Sequence, residues 1–556
     1  MLSVRDNRIH AETKTLSATI DNGFLTSLVS HLDGEEYLRC PSPTGSALQV
    51  VYTGRDAVGV ASSLAAEVSA HALSPTRAQL RFSGWDADGV LTVSEDPESG
   101  ELIVEPSAYS SRPGVLACRW RVPGIREDLE LVAPFFQGVR LRLADPLLER
   151  RWFWPQFWEA GLAILQGRAG GFWVHCRDDR YRYKALDIAG GTVGFDTDAY
   201  GPLDESRGAG GLAWRINTHR GDWQEPAAIY RDWLWRAYDL EAAEALRKPW
   251  TREARFALSW FNGDPEILDA VAERVDPARV LIHYSDWRTD AYDENYPTYL
   301  PSEHARGLFA KARAMGFHVM PHCNAVDMDP SHPAYAYLRD FQYRDVQTRA
   351  LLGWGYDSHA GGVLGVPNSS HALGGNRARK VMVKVHPGLS MWRSILAESV
   401  LGAVRAVDTD SVFLDVTLCS HNLHNCLVEG CTSTEGMRRL IAEIGGLDGG
   451  LAVGGEGLNE ITMQGLSFAQ AHLFASWQAN CEGLERTGGC ALNDFLFGRL
   501  CRTFGYSGLG GRTEAEALRM RLHEEHGALP TVVVRSAAEI RSPNAAVRRA
   551  LERAAG

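Results

Sequence analysis

From about residue 10 to residue 220, apolar and polar side chains alternate in short runs broken by Gly, Asp, Asn or Pro. TKTLSATID, SALQVVYT, RAQLRFSGW, GVLACRWRV and GVRLRLAD are examples. Period-two runs spaced about 8–12 residues apart, rich in β-branched and aromatic residues, predict an antiparallel β-sandwich. LSATIDNGFLTSLVSHLDGEEYL predicts two strands around a turn at Asp21-Asn22-Gly23, with a further turn at Asp33-Gly34. The stretch WFWPQFW at 152–158 is expected to be sandwich core, since clustered aromatics are normally buried.

The period changes at residues 224–247, where Ile229, Trp233, Trp235 and Leu240 recur at helical spacing and predict a connecting helix stopped by Pro249. Beyond residue 250, strands and helices alternate. Apolar runs at Phe256–Phe261, Val280–Tyr284, Phe317–Pro321, Val412–Leu414, Leu451–Val453 and Thr531–Val534 predict six strands. Between them lie helix signals: Asp264-Pro265 as N-cap and N1, a helix from Ser302 to Gly316, a long face of Trp392, Ile395, Leu396, Val400, Val404 and Val407, and a Thr432/Glu435 capping box. Continuous apolar strands are buried on both faces, so the sheet is parallel, and about 300 residues of this pattern fit a (β/α)₈ TIM-type barrel. Strands six and seven cannot be read between 458 and 530. The expected organisation is α/β plus all-β: a sandwich over 1–222, a linker helix over 223–250 and a barrel over 251–556.

Active sites of such barrels lie at the C-terminal ends of the strands. The first strand delivers Trp260, Asn262 and Asp264 there, the second His283, Ser285, Asp286 and Trp287, and the third His322, Asn324 and Asp327. The fourth ends Phe413-Leu414-Asp415-Val416-Thr417 and the fifth Val453-Gly454-Gly455-Glu456-Gly457. Asp415, set among apolar neighbours, is costly to ionise without partners, and the glycines around Glu456 suggest backbone kept open for a ligand. The two carboxylates are 41 positions apart, one strand–helix unit. On neighbouring strands about 4.8 Å apart, they would lie roughly 5–6 Å from one another. That separation suits a retaining glycosidase, whose chemistry needs one carboxylate ionised and one protonated. Glu460 is the alternative to Glu456.

Composition narrows the classes. The chain has 556 residues, 45% of them hydrophobic and 23% charged, which excludes disorder and coiled coil, and its net charge of −12 without a basic run argues against nucleic acid as a partner. Eleven of the 16 Trp fall between Trp85 and Trp250. No apolar stretch at the start resembles a leader, none elsewhere would span a membrane, and ten cysteines are too few for a disulfide scaffold, so a cytoplasmic location is expected.

A sandwich followed by a barrel, with the phrases DWQEPAAIYRDWL, FHVMPHCNAVDMDPSHPAY, VFLDVT and LAVGGEG, resembles barrel glycoside hydrolases related to endo-α-N-acetylgalactosaminidases and bacterial α-N-acetylgalactosaminidases. The resemblance implies a galactose-mutarotase-like sandwich, a nucleophile at Asp415, an acid/base at Glu456, and sugar contacts from Asp286 and Asn324. His283, His322, Trp260, Trp287 and His386 complete the expected substrate-binding set, and the long segment from Asn324 to His386 supplies Trp354, Tyr356 and His359 as candidates for a flap over the sugar. The expected activity is that of a retaining exo-acting α-glycosidase on small oligosaccharides or glycosides, with no cofactor, no membrane partner, and homo-oligomerisation left open. Two alternatives stand beside it: a metal-dependent barrel hydrolase built on His283, His322 and Asp415, and a non-catalytic carbohydrate-binding protein. The Cys419–Cys431 loop with His421 and His424 has soft ligands but no zinc-finger spacing.

Overall fold

Alternation in the first 220 residues folds into three antiparallel sheets of five, ten and six strands. The strands Leu16–Asp21, Leu48–Tyr52, Arg77–Ser83, Val115–Val122 and Val139–Arg142 lie where the period-two runs predict them. The hairpin of Leu16–Asp21 with Phe24–Ser30 turns through Asn22 and Gly23, both at positive φ (48° and 91°), as a tight turn matching strand twist requires. The computed structural model describes residues 1–43, 45–53, 59–354, 382–473, 481 and 483–555. Trp152, Trp154, Phe157 and Trp158 are all buried, with Trp152 stacked on Phe135 at 4.1 Å, so this aromatic stretch is core.

The connecting segment is two helices, Gln224–Ala237 and Leu240–Ala245, broken where Asp239 adopts φ 50°. Its buried face also differs from the expected one: Pro226, Ala227, Tyr230 and Leu234 face inward, whereas Ile229 is exposed. Tyr230 can face the interior because its hydroxyl donates to Glu460 at 2.5 Å.

Eight parallel strands follow: β1 (Phe256–Ser259), β2 (Val280–Tyr284), β3 (His318–Asn324), β4 (Ser411–Asp415), β5 (Ala452–Glu456), β6 (Phe468–Gln470), β7 (Arg502–Phe504) and β8 (Thr531–Val532). Each pairs with the next up to β7, β8 pairs with β1, and a parallel bridge from Phe504 to Leu529 joins the last seam. The helix signals hold as well. Asp264 caps Pro265–Ala272, Ser302 caps Glu303–Met315, and Thr432 caps Ser433–Gly445, each by accepting a backbone N–H.

Period two sorts the barrel strands into layers. Ala257, Leu281, Met320, Phe413, Phe468, Phe504 and Leu529 point inward and form an apolar plug of their own. Gly454 completes it by absence, since a Cβ there would stand 2.8 Å from Met320 Sδ. Two residues further along the same strands come Ser259, His283, His322, Asp415, Glu456 and Gln470. The polar layer thus rests directly on an apolar floor. No helix among the described residues is long and apolar enough to cross a membrane.

Candidate active site

Parallel register sets Asn324 opposite Asp415, Leu414 opposite Gly455, and Glu456 opposite Gln470. Asp415 and Glu456 therefore end adjacent strands at one level. Val416, at φ 65°, turns its N–H onto Glu456 Oε2 at 3.2 Å. A β-branched residue in the left-handed region is sterically costly, and such strain concentrates at functional sites. The Thr417 hydroxyl clamps the strand end, accepting from the Glu456 N–H at 2.8 Å and donating to its carbonyl at 2.7 Å. A Cβ at Gly455 would lie 2.7 Å from that hydroxyl. The glycines before Glu456 thus serve packing against Met320 and Thr417, a different reason from the ligand approach expected of them.

Both carboxylates are buried, Asp415 at 8% exposure and Glu456 at 6%. Burial, followed by the charges of Glu456, Asp293 and Asp327, holds the Asp415 carboxyl well above the usual range, while Lys384 opposes the rise. Glu456 is differently furnished: the ring nitrogen Nε2 of His472 lies 2.7 Å from its Oε1, and Tyr506 lies against it. Tyr506 also packs on His472 at 4.7 Å between rings, and Phe136 of the sandwich region reaches His472 at 6.5 Å.

Beneath and beside Asp415, His322 Nε2 stands 3.6 Å from Oδ2. His322 Nδ1 is 3.0 Å from His283 Nε2, and His283 Nδ1 meets Ser259 Oγ at 3.0 Å. Trp260, at φ 53° where β1 ends, sets its indole edge-on to His283 at 5.2 Å and close to His322 and Tyr292. Among the described residues no three His, Cys, Asp or Glu side chains are grouped to hold a metal ion. All ten cysteines are free.

The other expected residues are placed as follows. Asp286 is exposed and acts on Tyr284, whose ring packs on Phe261 and Phe309 away from the barrel axis. Trp287 is fully buried and gives its indole N–H to the His322 carbonyl at 2.8 Å. Asn324 shares the level of Asp415, but its amide closes its own turn, accepting from the Val326 and Asp327 N–H groups and donating to Asp327 Oδ2 at 3.0 Å. His386 lies away from the pair, near the Cys426 carbonyl and the Gly388 N–H. Trp354 pairs with Met382 in a small antiparallel sheet, and its side chain, with Tyr356 and His359, lies outside the described residues. Glu460 joins the two halves of the molecule, accepting from Trp154 Nε1 at 2.6 Å, Tyr230 Oη and the Gly161 N–H.

Several residues at the site escape the sequence reading. Asp293 sits in the loop after β2, which Arg288 braces by donating to the Ala291, Glu294 and Thr298 carbonyls. Lys384, buried, binds Asp327 Oδ1 at 2.6 Å. His472 follows β6 and Tyr506 follows β7, so both were hidden with their strands. Gln470-x-His472 is the period-two signal that would have revealed the first.

A family model described as a domain of unknown function, DUF6259, matches residues 212–436, which takes in β1 to β4 and Asp415 but not Glu456. A search of curated proteins returns no match. Among solved structures, the chain is similar to the α-N-acetylgalactosaminidase NagBb from Bifidobacterium bifidum. Its GalNAc complex aligns with a TM-score of 0.68 at 15% identity over 100% of this chain and 92% of that one. Its Gal-NHAc-DNJ complex aligns with a TM-score of 0.68 at 14% identity over the same shares. At this identity the likeness is one of fold: antiparallel sheets, then a parallel eight-stranded barrel, over the whole length of the chain.

Proposed function

We propose that the chain is a glycoside hydrolase, a retaining exo-acting α-glycosidase with Asp415 as nucleophile and Glu456 as acid/base. The observation that carries this reading is the pairing of two buried carboxylates at one level on adjacent strands, with the N–H of Val416, next in the chain to Asp415, donating to Glu456. Strand spacing of about 4.8 Å favours a short separation, which suits direct attack by one carboxylate rather than by a water held between two. The fold shared with an α-N-acetylgalactosaminidase supports the same class.

Asp415 attacks the anomeric carbon and forms a glycosyl ester as the leaving oxygen takes the Glu456 proton. Glu456 then removes a proton from water, whose oxygen attacks the same carbon and frees Asp415. The nearby Glu456 charge is one of the causes that raise the Asp415 carboxyl, and the reaction requires Asp415 ionised and the proton on Glu456 at the moment of attack. Trp260 and Tyr292 pack on each other and on His322 beside Asp415, and aromatic side chains of this kind stack on pyranose rings. Ten free cysteines fit the reducing cytoplasm as the location.

The test is a screen of nitrophenyl α- and β-glycosides with NMR of the first-formed anomer, run on the wild type, Asp415→Asn and Glu456→Gln. Release of an α-sugar with retained configuration, lost in both variants and indifferent to a strong chelator, is expected. Inverted product, or near-normal turnover in either variant, contradicts the assignment. Loss of wild-type turnover to the chelator would favour the metal-dependent hydrolase.

A further inference from the structure

Four other residues of the polar layer that holds the carboxylates are joined across the barrel. Gln470 on β6 reaches over the apolar plug to β1 and β2, with its Nε2 3.0 Å from Ser259 Oγ and 3.3 Å from His283 Nδ1. Ser259 Oγ itself lies 3.0 Å from the same His283 nitrogen, and His283 Nε2 lies 3.0 Å from His322 Nδ1. The last free nitrogen, His322 Nε2, faces Asp415 Oδ2. His283 and His322 are both fully enclosed, with Phe413 beneath them at ring distances of 4.3 and 5.3 Å and Trp260 above.

The hydrogen count of such a chain has a direction. With the Gln470 amide oriented nitrogen toward Ser259 and His283, that group donates, so it meets His283 Nδ1 as a lone pair, and the Ser259 hydroxyl donates to that lone pair too. A neutral imidazole whose Nδ1 accepts carries its proton on Nε2. His283 therefore donates to His322 Nδ1, which in turn places the His322 proton on Nε2, toward Asp415. Burial keeps both rings neutral, His283 being pushed down to about 3 and His322 well below its ordinary value.

We infer that Gln470, Ser259 and His283 form a one-way hydrogen-bond relay that fixes His322 as an N–H donor aimed at the Asp415 carboxylate. The relay rests on the glycosidase reading for its use and on the contacts alone for its existence. A neutral donor suits a nucleophile: it stabilises the anion in a dry site, yet does not pin it as an arginine would. At 3.6 Å the last link is longer than a hydrogen bond, and catalytic contacts of this kind tighten when substrate is bound. His322 is accordingly a positioning residue, acting through Asp415. Asp415 is also faced by Glu456 from β5, by Asp293 and Tyr292 from the loop after β2, by Asp327 and Lys384 from the segment after β3, and by Tyr506 after β7.

Nitrogen-15 NMR of histidine-labelled wild-type protein tests the relay without any substrate. His283 and His322 are expected with protonated Nε2 and bare Nδ1 from about pH 5 to 8. A protonated Nδ1 on either ring overturns the direction. The functional readout is the acidic limb of kcat/KM in His322→Phe, expected to move up by about one pH unit with kcat/KM reduced roughly tenfold to a hundredfold at neutral pH and KM little changed. His322→Gln, which restores a donor, is expected to recover part of both. An unmoved limb in His322→Phe, or no difference between the two variants, overturns the inference. If the wild type turns over no glycoside, the glycosidase reading fails, and carbon-13 titration of the Asp415 carboxyl in wild type and His322→Phe decides the relay by itself: a higher midpoint in the variant supports it, and equal midpoints refute it.

Discussion

Two buried carboxylates, one in the sandwich and one at the barrel mouth, are treated in opposite ways. Glu101 is 1% exposed, and its oxygens accept from Arg215 at 2.6 Å and from Arg177 and His175 at 3.0 Å each. Burial alone would raise its pKa, but the His175 bond and the two guanidiniums overcome that and hold it at about 2. Asp415 is nearly as buried, yet the carboxylates of Glu456, Asp293 and Asp327 surround it, and the Lys384 ammonium is already bound to Asp327. A carboxylate that serves the fold is given its cations. The one at the barrel mouth is set among other carboxylates instead, and groups perturbed in this way cluster at functional sites.

The comparison can be broken first at Asp415. Asp415→Asn is expected to cut kcat by about 10⁴-fold or more while raising Tm by a few degrees, because it removes a desolvated charge. Calorimetry beside steady-state kinetics checks both, and a fall in Tm would show that Asp415 supports the fold as Glu101 does. Glu101→Gln should do the reverse, costing about 3 kcal/mol in denaturant unfolding because its arginines lose their partner, with kcat of the folded fraction within about twofold of wild type.

The pH dependence of stability has opposite signs at the two positions. The depressed pKa of Glu101 gives stability that is full above about pH 4.5 and lost as pH falls toward 2, so wild type and Glu101→Gln should converge over that window. The raised pKa of Asp415 favours the native state at low pH and penalises it as pH rises. The advantage of Asp415→Asn should therefore grow with pH in unfolding titrations, and a constant difference would refute it. A smaller effect is expected of His472→Ala, which removes the ring nitrogen against Glu456: about tenfold to a hundredfold in kcat, read most clearly with poor leaving groups. Smallest of all is Asp286→Asn, on the outward face, which should leave kcat/KM within about twofold.

Periodicity explains what was legible beforehand. Six barrel strands and three capped helices follow from runs long enough to show a period, and strand arithmetic alone brings Asp415 and Glu456 together. Strands Phe468–Gln470 and Arg502–Phe504 are three residues each, too short for a period, and His472 and Tyr506 were hidden behind them. The resemblance implies a carboxylate after β2, and Asp286 is the first one the sequence offers there. Alternation from Tyr284, however, carries Asp286 outward, and the position of Asp293 depends on a braced loop that no local pattern encodes. Glu456 and Glu460 differ by one helical turn in sequence, yet one meets the barrel axis and the other meets Trp154 and Tyr230 of distant segments.

The central claim is tested most directly by trapping the nucleophile. Incubation with a slowly turned-over fluorinated glycosyl fluoride, followed by peptide mass spectrometry, is expected to place one sugar on the peptide containing Val412-Phe413-Leu414-Asp415, with the label absent from Asp415→Asn. A label on Glu456, or turnover of the same reagent to inverted product with no covalent adduct, would contradict the account.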